Sequence, residues 1–221
     1  GRITVSFHRE RMNEVARAMS YKKSFWTTFA FLSGVVFLLA STVFADTEDE
    51  ADDTLARIAS GAPKAALASE EKIPTPFEIL YGIIGQFFPE GRRYLADTSW
   101  ASRSGKVFSE LATAVRNSPS PESLALAVIL PPHDGSPLPD AAFSMVAPVF
   151  SCTYAVWQGD DADRANIDWL RSTSSAMATD TTGHYIGESD LDRAGRTAGS
   201  FSPGAWSKLN RLQSQYDPNG V

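Results

Sequence analysis

Tyr185 is the strongest catalytic candidate in this sequence. It lies in the run Thr182-Gly183-His184-Tyr185-Ile186-Gly187-Glu188-Ser189-Asp190-Leu191. A tyrosine at the end of a strand, followed closely by a glycine, can point its hydroxyl into a cleft while the bare backbone approaches a ligand. A phenol with a lowered pKa can take a proton from a substrate hydroxyl. The competing reading is a structural wedge between sheet and helix. Both readings put Tyr185 on a short strand.

The other reactive residue types offer less. Cys152 is the only cysteine, which excludes an intrachain disulfide and a cysteine-rich metal site. It reads as a small buried strand residue, and no base is recognisable beside it. His8, His133 and His184 are far apart, with no metal-ligand spacing to one another. Gly183 and Gly187 have the wrong spacing for a dinucleotide fingerprint, and the sequence has no nucleophile elbow. Asp160-Asp161-Ala162-Asp163 reads as a helix start rather than a metal loop. The net charge of −6 argues against a general nucleic-acid binder, which needs clustered Lys and Arg.

These residues need a scaffold. A chain of 221 residues can bury a core in one domain, or at most two. A hydrophobic content of 43% with 21% charged residues is that of a globular protein. Ile3, Val5 and Phe7 alternate with polar residues and predict a strand over Arg2–His8. Met12, Val15, Ala16 and Met19 share one helical face. The charge-free run from Phe25 to Ala45 has two readings. Starting at Met19, it imitates a signal segment or a membrane span. It also reads as two buried strands, Ser24–Leu32 and Val35–Phe44, turning at Ser33-Gly34. The strand reading is preferred, because the run is rich in Val, Phe, Thr and Trp and eighteen residues precede Met19. It makes a membrane location unlikely and favours the cytoplasm over secretion, although compartment stays open.

Thr47 and Glu50 form a capping box, and the acids around them suit a helix N-terminus. That helix should end at Ser60-Gly61. Further helices are expected from Thr75-Pro76, over Val107–Val115, from Asp160 to Met177, and over Pro203–Gln213 with Trp206, Leu209 and Leu212 inward. Leu124–Leu130 and Phe143–Trp157 read as strands, the second interrupted at Pro148. Arg92–Trp100 is extended, and Ala65–Ser69 is a weak strand. The resulting fold class is α+β: one mostly antiparallel sheet with helices packed on one face, opening like a ferredoxin-like layer.

Several segments together resemble the berberine-bridge-enzyme-like family of flavin-linked oxidases. They are Val43–Ala51, Pro74–Leu80, Trp157 with Ile167-Asp168-Trp169-Leu170-Arg171, and above all the C-terminal run from Thr182 with Ser202–Leu209 and Tyr216-Asp217-Pro218-Asn219-Gly220-Val221. The resemblance implies a ferredoxin-like substrate domain over residues 1–178 and a flavin-contacting segment over 179–221. It implies an FAD-binding domain N-terminal to this piece. The implied activity is oxidation of a hydroxylated small molecule by hydride transfer to FAD, with molecular oxygen as electron acceptor. Tyr185 would be the base. Gly187, Glu188 and Asp190 would be flavin-side or supporting positions, and Tyr154 and Trp157 would face the substrate. The family commonly reads Tyr-x-Asn, where this chain has Tyr185-Ile186-Gly187. The alternatives are a non-catalytic small-molecule-binding protein derived from that domain, and a secreted or membrane-anchored protein with a signal at 19–45.

Overall fold

The computed structural model describes residues 2–8, 25–33, 37–61, 66–74, 81–82, 85, 87–130 and 140–220. In chain order they form β1 (Arg2–His8), β2 (Phe25–Ser33), β3 (Phe37–Phe44), helix α1 (Glu48–Ser60), β4 (Ala66–Pro74) and β5 (Arg93–Ala101). Helix α2 (Ser104–Arg116), β6 (Leu124–Ile129), β7 (Val149–Trp157), helix α3 (Asp163–Met177) and β8 (Thr181–Gly183) follow. Two 3-10 turns, Ile186–Glu188 and Ala198–Ser200, lead to helix α4 (Pro203–Tyr216). The expected helices at Met12–Met19 and from Thr75, and His133, lie outside or largely outside the described residues.

The strands form one 8-stranded sheet in the order β4-β1-β3-β2-β6-β7-β5-β8, and every pairing is antiparallel. The expected α+β class is therefore observed. The apolar run folds as the expected pair, β2 against β3 with Phe25 opposite Phe44. Among the described residues no helix is long and apolar enough to cross a membrane.

Residues directly opposite on paired strands share a face, so register carries one face across the sheet. Ile129 lies opposite Thr28 and Val149, and Thr28 lies opposite Ser41. Val43, two residues from Ser41, is thus on the same face as Ile129 and Val149. That face meets the helices: Val43 packs with Ala51 and Leu55 of α1, and Val149, Ala155 and Trp157 pack with Leu111 of α2 and Leu170 of α3. Leu111 and Leu170 are fully buried, each worth about 1.5–3 kcal/mol of transfer free energy. The Trp169 indole N–H donates to the Ala114 carbonyl at 2.9 Å and ties α3 to α2.

The helix ends follow local chemistry. Thr47 accepts a hydrogen bond from the Glu50 amide at 3.3 Å, and Gly61 closes α1 by donating to the Ile58 carbonyl. Ser202 accepts from the Ala205 amide and caps α4, with Pro203 at its first position. Two boundaries and one helix orientation differ from expectation. Helix α3 begins at Asp163, not Asp160, because Asp163 is held by Arg93 and by the Trp157 indole. Strand β7 begins only after Pro148, which has no amide to donate. Helix α4 buries no residue, and Leu212 is 41% exposed rather than inward.

Candidate active site on the far face of the sheet

The face opposite the helices carries Tyr94, Thr98 and Trp100 of β5 and Phe150, Cys152 and Tyr154 of β7, since strand side chains alternate. It is an aromatic surface. Trp100 lies against Phe150 with ring centroids 4.8 Å apart, and Phe88 meets Tyr154 edge-on at 4.9 Å. Phe143 and Phe150 both present edges to Tyr185 at 6.2 Å. Edge-to-face pairs at such separations are each worth about 0.5–1.5 kcal/mol beyond the area they bury.

Tyr185 lies just past β8 rather than on it, at the entry of the 186–188 turn. The strand stops at Gly183 because the next amides leave the ladder: the His184 amide donates to the Gly199 carbonyl at 3.1 Å, and the Tyr185 amide turns to the Thr98 side chain. The Tyr185 amide donates to Thr98 Oγ1 at 2.8 Å. His184 Nδ1 lies 2.6 Å from the Thr98 carbonyl, and Ser189 Oγ is 2.8 Å from Thr98 Oγ1. Tyr185 is consequently held by its backbone, while its side chain is 36% exposed.

Gly187 has a different use from the expected close approach to a ligand. A Cβ there would sit 2.9 Å from Cε1 and 3.0 Å from the hydroxyl of Tyr185. The missing side chain makes room for the tyrosine ring to fold over its own turn. An asparagine in this position would push the ring aside.

Glu188 and Tyr154 meet: the Tyr154 hydroxyl donates to Glu188 Oε1 at 2.8 Å. Burial pushes the Tyr154 phenol well up, with Cys152 and the Glu188 carboxylate adding to the shift, so Tyr154 stays protonated. Burial likewise pushes the Cys152 thiol up, and this fully buried cysteine remains an unreactive core residue, as expected.

Two expected site residues do not join this group. Trp157 is on the helix-facing side of β7, 4% exposed, and its indole N–H donates to Asp163 at 2.8 Å. It staples sheet to helix and cannot face a substrate lying over Tyr154, because an odd-numbered residue of β7 points away from that face. Asp190 is 1% exposed, with Arg171 donating to both of its carboxylate oxygens at 2.7 and 3.3 Å. Its carboxylate is turned into the chain toward Arg171.

Behind the site lies a buried charge cluster that the sequence reading missed. Asp97 of β5 is 3% exposed and accepts from Arg196 at 2.5 Å, Ser174 at 2.5 Å and Arg193 at 3.3 Å. Arg196 also donates to His184 Nε2. A carbonyl only accepts, so His184 must carry its proton on Nδ1, facing Thr98, and present Nε2 to Arg196. Burial, and then the Arg196 charge, hold the His184 pKa below its ordinary value. The available signal was Asp97 itself, a charged residue in the middle of a strand-like segment.

Of the three positions expected to meet a flavin, Glu188 alone presents a charged group toward the aromatic face. Gly187 is exposed beside the Tyr185 ring, and Asp190 is enclosed by Arg171. Among the described residues these three positions do not enclose a dinucleotide.

No protein-family model matches the chain. The FAD-linked oxidoreductase nodO of Hypoxylon pulicicidum is 20% identical over 182 residues, covering 82% of this chain and 40% of its own length. The 6-hydroxy-D-nicotine oxidase of Arthrobacter nicotinovorans superposes with a TM-score of 0.70 at 13% identity, covering 98% of this chain and 52% of that one. The berberine bridge enzyme of Eschscholzia californica superposes with a TM-score of 0.63 at 12% identity, over 99% and 53% of the two chains. The chain thus spans about half the length of these solved structures or less than half that of the curated relative, and over that span it has their fold. The resemblance to berberine-bridge-enzyme-like FAD-linked oxidoreductases extends over nearly the whole chain.

Proposed function

We propose that this chain supplies the substrate domain and the flavin-facing C-terminal segment of an FAD-dependent oxidoreductase, whose flavin is held mainly by a separate N-terminal domain. The substrate is a hydroxylated small molecule lying on the far face of the sheet, and molecular oxygen is the final electron acceptor. The observation that carries this reading is Tyr185: its backbone is fixed by Thr98 while its side chain remains 36% exposed beside an aromatic surface.

Bound flavin supplies the hydride acceptor, chemistry that no side chain of this protein can provide. The chain's own part is to bind and orient. Phe143, Phe150 and Trp100 offer the apolar floor. The Tyr185 oxygen is the proposed proton acceptor for the substrate hydroxyl, and Thr98 keeps it in place. Orientation of this kind lowers the barrier because the reacting groups no longer lose freedom at the moment of reaction.

The test is co-expression of this chain with the coding sequence ahead of Gly1. The product should be yellow and should oxidise alcohols, and the 221-residue chain alone should stay colourless and inactive when FAD is added. In the yellow protein, Tyr185→Phe should lower kcat by about 100-fold or more, the usual contribution of a general base. A colourless full-length product would remove the proposal.

A further inference from the structure

The far face holds a charged acceptor as well as rings. Glu188 is half-buried, and among the described residues its hydrogen-bond partner is the Tyr154 hydroxyl, with no basic side chain on it. That hydroxyl has one proton, and it is committed to Glu188. A phenol oxygen keeps lone pairs when it donates, so Tyr154 can offer an incoming molecule an acceptor but no donor. Its surroundings are rings and a buried thiol: Phe88 edge-on at 4.9 Å, Phe150 four residues along the same strand face, and Cys152 between Phe150 and Tyr154 on that face. A molecule bringing a hydroxyl completes the chain from ligand to Tyr154 to Glu188. A molecule bringing a carboxylate meets a filled donor and a like charge in a partly desolvated place, where repulsion is stronger than in water.

We propose that Tyr154 and Glu188 act as one hydrogen-bonded pair that selects ligands carrying a hydroxyl on an apolar ring and rejects anions of the same shape. This rests on the proposed function only for the location of the substrate. It assigns Glu188 to substrate selection, beyond the flavin-side role expected for it.

The probes are benzyl alcohol, benzyl methyl ether and benzoate, titrated without flavin into the 221-residue chain and followed by NMR shifts of the far-face aromatic rings. The alcohol should bind about five-fold tighter than the ether, the effect of one net hydrogen bond, with benzoate weakest. In Tyr154→Phe the alcohol and ether should converge. In Glu188→Gln benzoate should gain about five-fold or more, as the repulsion is removed. Equal binding of all three, binding of none, or an alcohol preference that survives Tyr154→Phe would overturn the proposal. If Tyr154→Phe does not fold, Glu188→Gln decides, and undiminished rejection of benzoate overturns it. Flavin takes no part, so the two ideas fail separately. A colourless parent with an intact alcohol preference defeats only the oxidoreductase reading, and a yellow active parent without that preference defeats only the pair.

Discussion

Asp97 and Thr98 are consecutive on β5 and point to opposite faces of the sheet, yet both hold the C-terminal segment. Asp97 takes Arg193 and Arg196 on the helix side, and the Thr98 side chain takes the Tyr185 amide and Ser189 on the far side, while the Thr98 carbonyl takes the His184 ring. The segment therefore wraps the β8 edge and is fastened on both sides of one strand. The candidate base depends on this clamp for its position.

Breaking the buried side of the clamp should be costly. Removing one partner leaves an uncompensated charge in the interior, typically a loss of about 3–5 kcal/mol. Asp97→Asn should lower Tm by roughly 6–20 °C for a domain of this size, measured by calorimetry. A shift below about 2 °C would show that the cluster contributes little net stability.

The far side of the clamp should be weaker and chemically specific. Thr98→Val keeps the shape but leaves the Tyr185 amide without its acceptor, costing about 1–3 kcal/mol. Thr98→Ser should restore most of that loss. Hydrogen exchange at the Tyr185 amide is the discriminating measurement: it should speed up in the valine variant and recover in the serine variant.

His184 should make stability pH-dependent in one direction. Burial and then the Arg196 charge hold its folded pKa below the ordinary 6.5, so the unfolded chain binds the proton first. The stability contributed by the neutral ring is fully present above about 6.5 and is lost as pH falls through the folded value. Thermal melts between pH 7.5 and 5 should show this decline, and His184→Asn, whose amide can still donate to Thr98, should flatten it. An unchanged slope in that variant would assign the decline to other groups.

Gly187→Ala should separate stability from geometry. The Cβ would press on the Tyr185 ring at 2.9–3.0 Å, and the exposed ring can swing away cheaply. Reduced freedom of the unfolded chain stabilises by about 0.4–1 kcal/mol where the backbone is compatible. Urea midpoints should thus hold or rise slightly, while the near-UV circular dichroism of the far-face aromatics changes. A pronounced loss of stability with an unaltered aromatic signal would contradict this account of the glycine.

Much of the fold was legible from local patterns. The Thr47–Glu50 cap, the stop at Gly61 and the Pro203 start all depend on residues within a few positions of one another. Apolar spacing likewise located α2 and the body of α3, because a helix repeats its face every 3.6 residues whatever surrounds it. Strand β7 shows where that legibility ended. It is apolar on both faces, so alternation puts Tyr154 and Trp157 on opposite sides but does not say which side meets the helices; the structure puts Trp157 on the helix side.

The sequence by itself determined the α+β class, most element positions and the importance of the run around Tyr185. Only the tertiary structure decided that Thr98 meets Tyr185, that Asp97 meets Arg196 and that Tyr154 meets Glu188, pairs separated by 87, 99 and 34 positions. Local propensity acts over a turn or two of chain. Such partnerships are set by strand register and by the path of a loop around a sheet edge, and these are fixed only when distant segments bury the same face.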